Sequence, residues 1–232
     1  MKAREEIRAL ANKKIAQHSL RFFKTDKGEY GHGDLFLGVR APQIRLIAKK
    51  HIDISITDMK TLIQSKYHEE RFLGLIILVN KYAKTKDKKN RNQLYKIYVS
   101  SFKYINNWNL VDVTCPHVTG KHLIDKDRTI LYKWAKSEDL WTKRIAMVST
   151  FSFIRKNDLE DTFKIAEILL QDKHDLIHKA VGWMLREAGK RDIKKEEAFL
   201  KKHYKTMPRT MLRYSIEKFP ETKRQKYLKG TI

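Results

Sequence analysis

Residues 107–112 place an aromatic ring and a carboxylate four residues apart in a chain that is otherwise strongly cationic. In a helix, residues i and i+4 share one face, so Trp108 and Asp112 would point the same way. Leu110 and Val113 would point to the opposite side, where they suit a hydrophobic core. A carboxylate on a strongly cationic surface would repel a polyanion, and a surface that only binds anions has no need for one. An acid kept beside this tryptophan therefore indicates chemistry.

Arg144 is a second residue whose type conflicts with its surroundings. In the helix predicted over residues 139–155, it falls in the middle of the apolar arc. An unpaired guanidinium is costly there, so it must meet a carboxylate or an external anion. A structural ion pair, with Asp112 or Glu138 as the partner, and an external anion site both remain open.

Trp183 lies at the edge of the apolar face in the helix predicted over residues 175–190. A stripe of cations formed by Lys179, Arg186 and Lys190 runs beside it. An edge tryptophan bordered by cations suits a nucleic-acid surface, where the ring stacks on a base or sugar and the cations bind phosphates. The alternative is that the ring packs on the neighbouring repeat, which is the commoner outcome for a single tryptophan.

His174 and His178 stand at i and i+4, a spacing that zinc-binding helices use. The zincin motif has glutamate where Asp175 stands, and no third ligand is evident. The simpler interpretation is that Asp175 caps a helix with His178 near its start. Cys115 precedes Pro116 in an apolar context, which favours a buried thiol over a reactive one. We therefore predict chemistry without a metal or a cofactor.

The chain carries a net charge of +23, from 50 Lys and Arg against 27 Asp and Glu, and its pI is near 9.9. Such a surplus of positive charge indicates which partners the protein binds and does not indicate its fold. Nucleic acid is the leading candidate, because many phosphates must be neutralised at once. An anionic membrane, or a basic protein without an anionic partner, are the alternatives.

Cysteine usage and apolar runs bear on the compartment. Cys115 is the only cysteine, which excludes a disulfide within the chain and fits a reducing compartment. The N-terminus lacks the apolar core of a signal peptide, and the longest apolar run, residues 72–79, is too short to cross a bilayer. We expect a cytoplasmic, nucleoid-associated protein without a membrane contact. Both ends of the chain have polar sequences, which would cap an array of helices rather than pair with another copy, so we expect a monomer.

Helical periodicity dominates the sequence. Residues 2–20 predict one amphipathic helix, and residues 81–91 predict a solvated loop. Three glycines at 28–33 predict a loop that matches neither the Walker nor the dinucleotide-binding pattern. Further helices are predicted over residues 41–51, 56–65, 68–83, 89–105, 107–120, 127–136, 139–155, 159–170, 175–190, 193–204 and 209–219.

A repeat of about 33–37 residues relates similar stretches at residues 71, 107, 144, 180 and 213, each in the second helix of a pair. Repeats of this length with two helices each stack into a solenoid, whose second helices line a concave face. We therefore predict a single all-α domain over residues 1–232 with a concave basic face. The helices predicted to share that face carry Trp108, Arg144, Trp183 and Arg213.

Four stretches resemble the AlkD-type DNA alkylation repair proteins. They are Gly-Glu-Tyr-Gly-His-Gly-Asp with Phe-Leu-Gly-Val-Arg-Ala-Pro at 28–42, Asn-Trp-Asn-Leu-Val-Asp at 107–112, Trp-Thr-Lys-Arg-Ile-Ala at 141–146, and His-Lys-Ala-Val-Gly-Trp-Met-Leu-Arg-Glu at 178–187. The last three together are specific, and the resemblance covers nearly the whole chain. It implies an all-α solenoid of HEAT-like repeats. It also implies a DNA glycosylase that releases N3- and N7-alkylated purines from double-stranded DNA without a metal.

The resemblance also implies residue roles. Trp108 and Trp183 match tryptophans that contact the lesion-bearing nucleotide, and Asp112 matches the catalytic aspartate, so these three form the predicted catalytic set. Arg144 matches a phosphate-binding arginine, and Tyr30 is the nearest candidate for an N-terminal tyrosine. The predicted DNA-binding residues are Arg144, Tyr30, Lys179, Arg186, Lys190 and Arg213.

The chemistry agrees with these roles. Alkylation at N3 or N7 places a positive charge on the purine, and its departure leaves oxocarbenium character on the deoxyribose. An ionised Asp112 near C1′ would stabilise that charge and position the attacking water. Two alternatives remain open: a non-catalytic DNA- or RNA-binding solenoid, and a peptide-binding scaffold array.

Overall fold

A computed structural model describes residues 1–232, and all of its regular elements are helices. One isolated bridge, between Leu35 and Tyr67, is the only pairing of extended residues. The chain divides into two compact units, Met1–Val118 and Thr119–Ile232. Each unit consists of successive helices packed on one another, which confirms the predicted all-α, helical-repeat class. The prediction of a single domain stays a prediction.

The first unit contains seven helices and a short 3-10 turn, Phe102–Tyr104. The helices are α1 (Lys2–Ala9), α2 (Lys13–Phe22), α3 (Ala41–Lys50), α4 (Ile56–Ile63), α5 (His68–Lys84), α6 (Lys88–Ser100) and α7 (Trp108–Asp112). Helix α5 is the core of this unit and is buried without interruption from His68 to Leu78, with α3 and α4 packed on it. Gly74 permits the close approach of α4, because a Cβ there would lie 2.8 Å from the Ile63 backbone nitrogen.

A π-type turn, Pro116–Gly120, precedes the helices of the second unit. These are α8 (Lys121–Leu123), α9 (Thr129–Ala135), α10 (Leu140–Ser149), α11 (Phe151–Ile154), α12 (Glu160–Ile168), α13 (Asp175–Gly189), α14 (Ile193–His203), α15 (Arg209–Ser215) and α16 (Glu221–Lys229). Helix α13 packs against α10, α12, α14 and α15. A Cβ at Gly182 would lie 2.5 Å from the Met211 carbonyl oxygen, so glycine is what allows α13 and α15 to approach this closely.

Four element predictions are wrong in detail. The helix predicted over residues 107–120 ends at Asp112, and a π-type turn at Pro116–Gly120 follows it. The single helix predicted over residues 2–20 is two helices, because Asn12 accepts a hydrogen bond from the Ile15 backbone and starts α2 as its N-cap. The loop predicted over residues 81–91 shrinks to residues 85–87, because Asp87 caps α6. The helix predicted over residues 139–155 breaks at Thr150 into α10 and α11. Helix α16 was not predicted.

Buried acids hold the N-terminal elements of the first unit. Glu70 is fully buried and accepts hydrogen bonds from Arg4 at 3.0 Å and from Arg8 at 2.6 Å, which ties α1 to α5. Glu69 accepts backbone hydrogen bonds from residues 37–39 and so fixes the chain ahead of α3. No helix in the chain is both long and apolar enough to span a membrane.

Candidate functional site

Helix α7 is short and presents Trp108 and Asp112, both half-buried, from one turn. Leu110 and Val111 are fully buried and anchor the helix in the core of the first unit. The predicted core position of Leu110 is therefore confirmed. Val113 is only half-buried, because the helix ends at Asp112 and Val113 is its C-cap. The predicted spacing of the ring and the carboxylate on one helical turn is confirmed.

The Trp108 ring is held by two phenylalanines at the end of α2. Phe22 meets it edge to face with centroids 5.8 Å apart, and Phe23 lies 5.7 Å away at a tilt of 39°. Phe22 is 54% exposed, which is unusual for so large an apolar side chain. The sequence analysis missed both residues; an aromatic pair directly before the glycine-rich loop was the available signal. Tyr30 lies half-buried in that loop, and its role stays a prediction.

Phe23 continues the contact inward. Its ring stacks on Phe36 with centroids 5.3 Å apart and on the imidazole of His68 at 4.9 Å. A cleft of about 480 Å³ opens beside these rings. Its lining includes His18, Phe22, Phe23, Arg40, Phe72 and Asn109. The cleft borders α7 through Asn109, so an aromatic wall adjoins the helix that carries Asp112.

His68 belongs to a buried polar network centred on Asp34. The Asp34 carboxylate accepts hydrogen bonds from Arg71 and from Asn106, each at 2.8 Å, and lies 3.3 Å from His68 Nδ1. Burial raises the pKa of Asp34, but the His68 and Asn106 hydrogen bonds and the Arg71 charge outweigh burial, so this pKa lies below its usual value. On the other ring nitrogen, His68 Nε2 lies 2.9 Å from Asn109 Nδ2. The sequence analysis did not single out this network.

In the second unit, Arg144 on α10 is 5% exposed. Its Nη1 donates a hydrogen bond to the carbonyl oxygen of Leu176 on α13. A backbone carbonyl is thus among its acceptors, and the expected carboxylate or external anion stays a prediction. Its predicted phosphate contact stays a prediction.

Trp183 on α13 is half-buried, and its ring lies 5.8 Å from that of Phe151 on α11. The guanidinium of Arg155 lies over the Phe151 ring, 4.4 Å from its centroid. Intramolecular packing therefore covers part of Trp183, as one of the two interpretations expected. The remaining exposed part is available for the predicted nucleotide contact.

The predicted cation stripe beside Trp183 is paired with carboxylates of the second unit. Lys179 pairs with Asp175 at 2.6 Å, and Lys190 pairs with Glu187 at 2.7 Å. Arg186 pairs with Glu217 on the 3-10 turn that follows α15. Lys179 and Asp175 are the most exposed of these pairs, and an exposed pair contributes only about 0.2–1 kcal/mol to stability. Arg213, on α15, is exposed.

The histidine pair at 174 and 178 has a structural role. His174, and not Asp175 as predicted, caps α13: its Nδ1 accepts a hydrogen bond from the Leu176 backbone at 3.1 Å. His178 donates from Nε2 to the Asp172 carbonyl at 2.5 Å. No group of three or more histidine, cysteine or acidic side chains is placed to hold a metal. Cys115 is buried, as expected.

The fold and the charge define a basic helical-repeat protein, and its first unit carries a carboxylate one turn from a tryptophan. The sequence model of one family, described as DNA alkylation repair enzyme, matches residues 3–219. The chain therefore belongs to the DNA alkylation repair enzyme family. Membership gives it a role in DNA repair and DNA as its partner.

A predicted DNA alkylation repair enzyme from Enterococcus faecalis has a similar solved structure, with a TM-score of 0.72 at 15% sequence identity. The match covers 91% of this chain and 97% of that one. At this identity, the likeness concerns the fold alone. No curated protein matches the chain in sequence.

Proposed function

We propose that this protein is a DNA glycosylase that removes cationic N3- or N7-alkylated purines from duplex DNA by hydrolysis of the N-glycosidic bond. Membership in the DNA alkylation repair family supports the repair role and the DNA partner. The observation that carries the finer proposal is the pair of half-buried residues on α7: a carboxylate, Asp112, one turn from a tryptophan, Trp108, in a chain of net charge +23. A surface that only binds phosphates has no use for this acid.

In the proposed reaction, the alkylated purine leaves with the electron pair of the N-glycosidic bond, which neutralises its positive charge. The deoxyribose then carries oxocarbenium character at C1′. Asp112 lies against this charge, stabilises it, and orients the water whose oxygen attacks C1′. The proton of that water passes to the carboxylate or to solvent. The leaving base needs no protonation, because alkylation has already made it a good leaving group.

Trp108 favours this charge through its ring face, by roughly 0.5–2 kcal/mol for a cation–π contact, and Trp183 is proposed to make a nucleotide contact of the same kind. The contribution requires a fixed ring. Phe22 and Phe23 hold the ring of Trp108, and Phe151 packs on that of Trp183. Phe22 and Phe23 therefore belong to the proposed site as supports of the tryptophan.

The duplex is held by its backbone rather than by base readout. Arg144, with one hydrogen bond to the Leu176 carbonyl, presents a guanidinium whose orientation is restricted. The proposed DNA-binding set retains Arg144, Tyr30, Lys179, Arg186, Lys190 and Arg213. Binding of this kind weakens steeply with salt, because each phosphate contact releases a counterion.

A non-catalytic DNA- or RNA-binding role is the second candidate. The observation that favours it is the cation stripe beside Trp183, which would serve binding equally well without Asp112. The two candidates differ in whether a free base is ever released.

The test is release of free base from duplex DNA that carries N7-methylguanine or N3-methyladenine, in the presence of a chelator. Wild type is compared with Asp112→Asn, and the matched control is Asp53→Asn, the same change at an exposed position of the first unit. Release by wild type and by the control, without release by Asp112→Asn, supports the proposal. Binding without release by any protein favours the non-catalytic candidate. Equal release by all three proteins would mean that a residue other than Asp112 supplies the catalytic carboxylate.

A further inference from the structure

Asp34 is 6% exposed and lies at the end of the glycine-rich loop, far in sequence from α7. It nevertheless reaches the segment that starts α7 by two routes. The first is direct, since Asn106 Nδ2 donates to Asp34 Oδ1 at 2.8 Å. Arg71 strengthens this route, because its Nη2 donates both to Asp34 Oδ1 and to Asn106 Oδ1.

The second route passes through His68, which is 2% exposed. The amide nitrogen of Asn109 can only donate, so His68 Nε2, at 2.9 Å, must accept. The ring proton then lies on Nδ1, which donates to Asp34. Burial lowers the pKa of His68 and the Arg71 charge acts in the same direction, against the opposing effect of Asp34. The imidazole is therefore neutral, in the tautomer that the two hydrogen bonds require.

The two routes end at Asn106 and Asn109, which lie on either side of Trp108. The backbone that carries the tryptophan is therefore held at both ends. A third contact reaches the ring itself, because Phe23 stacks on His68 at 4.9 Å and lies 5.7 Å from Trp108. The position of Trp108 is thus coupled to Asp34 and His68 through three contacts.

A role in stability alone does not account for this arrangement. Asn107, the N-cap of α7, is fully buried with neither amide atom hydrogen-bonded, and Asn109 Oδ1 also has no partner. Buried polar groups without partners destabilise a fold, so each needs an explanation, and a geometry required by function is one. Three asparagines, at positions 106, 107 and 109, thus surround Trp108, and two of them link it to the buried network of Asp34 and His68.

We infer that Asp34 and His68 are positioning residues for base excision: through Asn106 and Asn109 they set the orientation of α7, and so the placement of Trp108 and Asp112 against the deoxyribose. This inference rests on the proposed glycosylase function. Neither residue contacts DNA in this role. A small misplacement of a catalytic group lowers a rate by up to about 100-fold, so the network acts on the chemical step rather than on DNA affinity.

Two substitutions at His68 separate the two hydrogen bonds of the second route, the one to Asp34 and the one to Asn109. In His68→Asn, the amide nitrogen takes the place of Nδ1 and keeps the Asp34 contact, but the link to Asn109 is lost. In His68→Gln, the amide oxygen takes the place of Nε2 and keeps the Asn109 contact, but the link to Asp34 is lost. Each variant loses one buried hydrogen bond. A purely structural role therefore predicts similar losses of activity that follow the loss of thermal stability.

The experiment measures the single-turnover rate of N7-methylguanine release, the Kd for undamaged duplex, and Tm for wild type and both variants. We expect a fall of about 10- to 100-fold in the rate for His68→Asn and a clearly smaller fall for His68→Gln, with unchanged Kd. Equal losses of rate in the two variants, or losses that follow the order of their Tm values, would overturn the inference. Base release by the wild type would still support the glycosylase function in that case. No release by wild type would refute both.

Asn109→Leu provides an independent variant if either histidine substitution prevents folding. It leaves the buried pair of His68 and Asp34 in place and removes the donor on α7. We expect it to reproduce the rate loss of His68→Asn. A wild-type rate in a folded Asn109→Leu protein would exclude the positioning role.

Discussion

Phe22 and Trp108 lie 86 residues apart in the sequence and meet edge to face, with ring centroids 5.8 Å apart, although Phe22 is 54% exposed. A phenylalanine exposed to this extent adds little to the core. Its contact with the tryptophan of α7 restricts the ring that the proposed reaction uses. Exposure and contact together suggest that Phe22 serves the site more than the fold.

Phe22→Ala should therefore reduce base excision more than it reduces stability. We expect the free energy of unfolding to fall by no more than about 1 kcal/mol, because the side chain is already half exposed. The single-turnover rate should fall about tenfold, through the freed Trp108 ring. Leu46→Ala, which truncates another exposed apolar side chain of the first unit, is the matched control and should leave the rate unchanged. A rate loss shared by both variants would indicate a nonspecific effect.

Arg213→Ala should weaken DNA binding uniformly across sequences. If Arg213 contacts one phosphate, the slope of log K against log salt should become shallower by about one. Fluorescence anisotropy on undamaged duplexes at several salt concentrations measures this slope. Lys201→Ala removes one exposed cation from α14 of the same unit and is the control. Identical slopes for the two variants would mean that only net charge matters, and not the position of Arg213.

Glu196 should make the second unit less stable as the pH rises. It is 1% exposed, and its Oε1 has no hydrogen-bond partner. Burial and then the like charge of Glu197 raise the pKa of Glu196 to about 8, against the opposing charge of Arg186. The folded state thus holds a proton that the unfolded state, with a pKa near 4.5, releases. Its contribution to stability is fully present below pH 4.5 and is lost as the pH rises to about 8.

Glu196→Gln should flatten this dependence, because glutamine has no proton to lose. Urea unfolding of both proteins from about pH 5 to pH 9 measures the difference in free energy at each pH. Glu138→Gln, the same change at an exposed position of the second unit, is the control. The expected result is a gain in stability for Glu196→Gln that grows with pH. A constant difference would show that Glu196 does not titrate in this window.

Gly182→Ala should separate α13 from α15. The added Cβ would lie 2.5 Å from the Met211 carbonyl oxygen and 2.5 Å from Tyr214 Cβ, and backbone cannot yield as a flexible side chain does. Overpacking of this kind destabilises by about 1–3 kcal/mol, although alanine is the better helix former. Thermal unfolding measures this loss, and Lys195→Ala, an exposed change on the neighbouring helix α14, is the control. The neighbouring Trp183 should shift with the helix, so DNA affinity should fall as well. An unchanged or raised Tm would contradict the packing argument.

The helical class, most helix positions and the shared turn of Trp108 and Asp112 followed from the sequence. Each depends on interactions between residues three or four positions apart, which the order of side chains determines directly. The positive charge, and with it a nucleic-acid partner, also needs no coordinates. The break at Asn12 was missed because a local cap outweighed a continuous apolar stripe.

Only the tertiary structure decided what surrounds the α7 pair. Phe22 reaches Trp108, and Asp34 reaches Asn106 directly and Asn109 through His68, across separations of 34 to 86 residues. No periodicity encodes such contacts, because they depend on how α2, α5 and the loop at Asp34 pack together. The sequence by itself thus determined which residues could do the chemistry. The packing of the first unit decided which neighbours hold Trp108 in place.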